Sequence, residues 1–99
     1  MVQKIVWLPI AQATFIDILK YLEADFSEKE IQKFVDRVQQ KLLLIRSFPK
    51  IGISCKKTNT YKTVVHKKIL LFYKYKPIKN EILLLGFWNT LQDPAKLKW

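Results

Sequence analysis

The 99-residue sequence contains one cysteine, one histidine, two glycines and two arginines. Each scarcity removes a class of function. Cys55 alone cannot close an internal disulfide or build a cysteine-based metal site, and a cytoplasmic setting is expected. His66 alone excludes an HExxH motif or a histidine cluster for zinc, so no metal or other cofactor is expected. Gly52 and Gly86 each stand apart, which leaves no glycine-rich phosphate loop. A Ser-His-Asp arrangement could be drawn around His66, but no spacing supports it. The carboxylates fall mostly on helical segments, and no pair suggests glycosidase chemistry. The stretch between Glu81 and Asp93 is too short to span a bilayer. The opening MVQKIVWLPIAQATFID lacks the long apolar run and small-residue cleavage site of a signal peptide. No membrane partner is expected. Residues 1–99 read as a single domain, with no repeat and no low-complexity stretch.

Hydrophobic residues make up 49% and charged residues 26%, which separates this chain from disordered ones. The net charge is +10, and its distribution is uneven. Seven basic residues nearly balance six acidic ones up to Pro49. From Lys50 onward eleven lysines face two acidic residues. The first half reads as a neutral scaffold. The second half carries a positive field suited to RNA, DNA or an acidic protein segment, unless it is only a solvated surface.

Gln3 to Trp7 alternates around Ile5 and Trp7 and predicts a short strand. Pro9 suits the first turn of a helix. Phe15, Ile18, Leu19 and Leu22 recur as one helical stripe, extended back to Ala11, and this helix should end near Asp25. Ser27-Glu28-Lys29-Glu30 has the form of a capping box, with Phe26 and Ile31 at the staple positions. Ile31, Phe34, Val35, Val38, Leu42 and Ile45 then mark a second amphipathic helix, widened by Leu43 and Leu44 and stopped at Phe48-Pro49. So short a connection predicts an antiparallel helix hairpin. After a polar turn at Lys56–Thr60, strands are predicted over Tyr61–Lys67, Ile69–Tyr75 and Glu81–Trp88. The fold class is therefore α+β, ordered β-α-α-β-β-β, with the helix hairpin packed on a small, mainly antiparallel sheet.

Chemistry is concentrated in the lysines, tyrosines and histidine of the second half. Lys62, His66, Lys67 and Tyr73 are the candidate catalytic set. RNA can be cut without metal when a base activates the 2′-hydroxyl, a cation holds the phosphorane charge and an acid protonates the leaving oxygen. Lys56, Lys57, Lys68, Lys74 and Lys76 are the candidate phosphate contacts, and Tyr75 and Trp88 could stack on bases. Trp7, Leu43, Leu44 and Trp99 are candidate anchors for a protein partner. Each has a plainer reading. His66 could be an ordinary exposed strand residue, Tyr73 a packing residue with a wet hydroxyl, and Cys55 a small hydrophobe. Arg37 and Arg46 read as structural residues of the second helix.

Four segments, in order, resemble the RelE/ParE superfamily of type II toxin–antitoxin toxins. They are Phe48-Pro49-Lys50-Ile51-Gly52, similar to "FPxxG"; Tyr61 to Lys67; Leu71 to Tyr75; and Phe87 to Pro94, similar to "FWDTRQDP". The resemblance implies a toxin neutralised by an acidic antitoxin encoded beside it. It also implies one of two targets. Nuclease members cut mRNA on the ribosome with basic residues and a tyrosine or histidine near the C-terminus; members of the other branch poison DNA gyrase without being nucleases. Ribosome-dependent mRNA cleavage is the expectation, with gyrase inhibition or a degenerate nucleic-acid-binding relative as alternatives. The chain departs from the nuclease pattern at Tyr61 and Leu91, where relatives carry arginine. Neither neighbouring Lys62 nor leucine can supply a bidentate guanidinium.

Overall fold

The computed structural model describes residues 4–25, 27–55 and 59–90. A short strand β1 (Lys4–Trp7) leads into α1 (Pro9–Asp25) and α2 (Glu28–Ser47). Four strands follow: β2 (Ile53–Ser54), β3 (Thr60–His66), β4 (Ile69–Lys76) and β5 (Glu81–Asn89). They form one sheet in the order β1-β5-β4-β3-β2. Only the β1–β5 pair is parallel. The α+β class and the helix hairpin on a mainly antiparallel sheet are as the periodicity predicts. The two-residue β2 is an addition, too short to leave a periodic signal. Among the described residues, no helix is long and apolar enough to cross a membrane.

Both helical stripes lie against the same sheet face. Ala11, Ile18 and Leu22 from α1 are buried with Phe34, Val38 and Ile45 from α2. Their sheet partners are Val65, Ile69, Leu71, Tyr73, Ile82, Leu84 and Phe87. Aromatic rings fill the centre. Phe15 lies 5.4 Å from Trp7, 5.5 Å from Phe34 and 5.4 Å from Phe87, centroid to centroid.

The start of α2 departs from the predicted capping box. Ser27 has the extended backbone of an N-cap, and its carbonyl accepts from Glu30 and Ile31 N–H at 3.0 and 3.2 Å. Its hydroxyl makes no capping hydrogen bond. Glu30 does not reach back; its carboxylate is turned to Lys67 and His66 at the end of β3. Phe26, the other half of the predicted staple, lies outside the described residues. Ser27→Ala should therefore cost less than about 0.5 kcal/mol, not the ~1 kcal/mol of a working cap. A urea melt showing a full-sized loss would restore the capping role.

Candidate functional site

Strand alternation divides the lysine-tyrosine set between the two sheet faces. Tyr61 pairs with Tyr73, and the two rings stack at 5.5 Å on the helix side. Their neighbours Lys62 and Phe72 point to the opposite face, which carries no helix among the described residues and on which Phe72 is nevertheless buried. Along β4, Lys74 and Lys76 share that face, paired with Leu83 and Glu81 of β5. Lys4 of β1 joins them beside Glu81, and Trp88 lies there opposite Leu70. Four lysines and an indole thus occupy one sheet face.

The four candidate catalytic residues do not converge there. On a straight strand Lys62 and His66, four residues apart, would share a face. A β-bulge between Val64 and His66 breaks the alternation, so Val65 and His66 both turn to the helices. His66 is 3% exposed, not the exposed strand residue its type suggests, and packs 6.1 Å from the Phe34 ring. Lys67 sits beyond the strand in the β3–β4 turn, at φ 49°. Its ammonium donates to Glu30.

Tyr73 is fully buried, and its hydroxyl is not wet: it accepts from Gly52 N–H at 3.0 Å. Burial pushes this hydroxyl's pKa up, with the Gly52 bond partly opposing. Gly52 is the conformational key to the Phe48–Gly52 segment. A Cβ there would meet the Lys62 carbonyl and the Tyr73 hydroxyl, each at 2.8 Å.

The predicted partner anchors also separate. Trp7 is committed to the core through Phe15 and Phe87. Leu43 and Leu44 remain exposed on α2. Lys68 is exposed in the β3–β4 turn, while Lys56, Lys57, Leu91 and Trp99 lie outside the described residues.

Glu30, His66 and Lys67 form a charge cluster that the capping-box reading hid. His66 Nε2 is 3.6 Å from a Glu30 oxygen, too long for a hydrogen bond, and neither ring nitrogen has a partner among the described residues. Burial holds the His66 pKa below its ordinary value, with Glu30 pulling the other way. The hydrogen bond from Lys67 holds the Glu30 carboxyl below the ordinary carboxylate range.

Both shifts act in one direction. Below about pH 6.5 the unfolded chain protonates its histidine while the buried ring resists, so stability falls with falling pH. Below about pH 4.3 the unfolded glutamate gains a proton that folded Glu30 resists, and a second loss begins. Urea melts across this range should show both phases in wild type and only the lower one in His66→Phe. Retention of the upper phase in that variant would move its origin away from His66.

Comparison with known proteins identifies the fold and the lineage. A sequence profile described as "ParE toxin of type II toxin-antitoxin system, parDE" matches residues 5–94. The chain belongs to this toxin family. Membership implies an antitoxin partner. No curated protein matches the chain by sequence. Among solved structures, the YoeB dimer from Staphylococcus aureus is similar, with TM-score 0.57, 16% identity, and coverage of 87% of this chain and 94% of that one. The conserved hypothetical protein HP0894 from Helicobacter pylori is also similar, with TM-score 0.58, 18% identity, and coverage of 91% and 97%. At such identities the likeness to this ParE-family toxin is one of fold.

Proposed function

We propose that this ParE-family toxin arrests its target by binding through the helix-free sheet face, without cutting RNA. One observation carries the reading. The chain's single histidine and all four tyrosines are described, and none lies on the face that bears Lys4, Lys62, Lys74 and Lys76. Tyr61, Tyr73 and Tyr75 pack against the core, Tyr21 is on α1, and His66 is turned to α2. General acid–base cleavage needs a proton acceptor within hydrogen-bond reach of the 2′-hydroxyl. The carboxylate on this face, Glu81, lies between Lys4 and Lys76. Lys76 is four residues along β4 from the partner of Lys62, about 13 Å away. The lysines can hold a polyanion or an acidic protein surface. Inhibition of DNA gyrase, the action the superfamily resemblance implies for its non-nuclease branch, is the target assignment that follows.

Two assays divide this reading from mRNA cleavage. Purified toxin should inhibit gyrase supercoiling and leave mRNA ends unchanged on translating ribosomes. Lys62→Glu with Lys74→Glu should abolish growth arrest; Tyr73→Phe, if folded, should not. Mapped mRNA ends that depend on the toxin would overturn the proposal in favour of a nuclease.

A further inference from the structure

A cavity of about 510 Å³ lies between the end of α1, the β3–β4 turn and the end of β5. That volume suits a small organic molecule. Leu22 and Ile69, both buried, give it apolar walls, with Tyr21 and Asn89 beside them. His66 closes it from the β3 side. The turn is fixed at this point, because Thr90 N–H donates to the Lys68 carbonyl at 2.9 Å.

The charges around the cavity are few. No acidic residue lines it among the described residues. Lys67 lines it, but its ammonium is turned to Glu30. Burial holds the His66 pKa below its ordinary value, so the ring is uncharged near pH 7. Lys68 is exposed and forms no ion pair among the described residues. It therefore supplies the one uncompensated charge at the rim. The His66 ring adds polar capacity without charge. A neutral imidazole offers one N–H donor and one acceptor, and neither nitrogen has a hydrogen-bond partner among the described residues. An apolar cavity with a cation at its rim and an unsatisfied polar group in its wall has the make-up of a ligand site.

We propose that this cavity binds a small monoanion with an apolar body, a medium-chain or aryl-alkyl carboxylate. The carboxylate meets Lys68 at the rim. The apolar body lies on Leu22 and Ile69, against the His66 ring. A phosphate dianion or a triphosphate fits less well, because the walls offer no second free cation to offset the desolvation of the extra charge. A cation of the same shape is repelled by Lys68. Buried apolar area thus supplies the affinity, and Lys68 selects the sign of the charge. The site lies on the helix side of the sheet, apart from the face of Lys62 and Lys74, and does not depend on the toxin reading.

The test is an NMR titration of the full-length protein, read at the backbone amides and the histidine ring. The probe is octanoate, compared with octylamine and inorganic triphosphate. Octanoate should shift the amides of Lys68, Ile69 and Asn89 and the His66 ring resonances along one saturating curve. The ring locates the ligand, since an anion adsorbed on the surface does not reach a side chain only 3% exposed. Octylamine should bind several-fold more weakly. Lys68→Gln, a change at an exposed turn residue, should weaken octanoate about three- to fivefold, narrow its advantage over octylamine and leave the rest of the amide spectrum in place. Equal binding of octanoate and octylamine to the wild-type protein would overturn the proposal, because the cavity would then not select charge. So would shifts centred on Lys33, Arg37 and Lys41, which would put the anion on the surface of α2. Displacement of octanoate by triphosphate would make the rim a phosphate site, and failure to saturate at millimolar octanoate would remove the site altogether.

Discussion

Phe34→Ala should lower stability by about 3–5 kcal/mol, with a fall in melting temperature on the order of 20 °C. Phe34 is fully buried in α2. Its ring stacks on Phe15 at 5.5 Å and meets Phe87 edge-on at 6.5 Å. It also covers His66 at 6.1 Å. One side chain therefore joins α2 to α1, β3 and β5. Truncation leaves a cavity that these elements can close only by moving together, which puts the cost at the upper end for an aromatic residue. The cavity would also open beside a histidine whose two ring nitrogens have no hydrogen-bond partner among the described residues. Water entering there would ease the desolvation that depresses His66, so the variant should be less sensitive to pH below about 6.5 as well as less stable. Calorimetry against pH reads both effects. A melting temperature within error of wild type would remove Phe34 from the core.

The helices were legible because their apolar spacing survives into the folded state: Ile18 and Leu22, then Phe34, Val38 and Ile45, are buried where the stripes put them. The site was less legible, for three local reasons. The Ser27–Glu30 pattern satisfies the spacing of a capping box, but a cross-element partner, Lys67, takes the Glu30 carboxylate. A charge-assisted bond to an ammonium competes well with one to a neutral backbone N–H. The bulge at Val65 leaves no mark in a run of β-branched residues, yet it moves His66 to the other face from Lys62. The cationic ridge of Lys33, Arg37 and Lys41 on α2 was passed over, because the first half balances in net charge and Arg37 reads as structural. What no single-segment pattern contains is the free edge of β3 opposite it, because that depends on where β2 ends.

Gly52→Ala should cost about 1–3 kcal/mol and reduce toxicity beyond the loss of folded protein. The added Cβ would stand 2.8 Å from the Lys62 carbonyl and from the Tyr73 hydroxyl, and 3.1 Å from Tyr61 Cβ. The first contact is with backbone and cannot be relieved by a rotamer change. Something must shift, and the shift falls on β3 at Lys62, on the proposed target face. Tyr73→Phe alone should cost about 1–2 kcal/mol, since it leaves Gly52 N–H without its acceptor. In the double variant one of the two closest clashes is gone and the lost hydrogen bond is counted once, so the combined cost should be less than the sum. Strict additivity would place the whole cost of Gly52→Ala at the Lys62 carbonyl. Toxicity separates the roles further. Tyr73→Phe keeps the Lys62 backbone in place and should retain growth arrest in proportion to folded protein. Gly52→Ala moves that backbone and should fall below this proportion. Equal growth arrest per folded molecule in the two variants would detach Lys62 from the target surface and return Gly52 to a purely structural role.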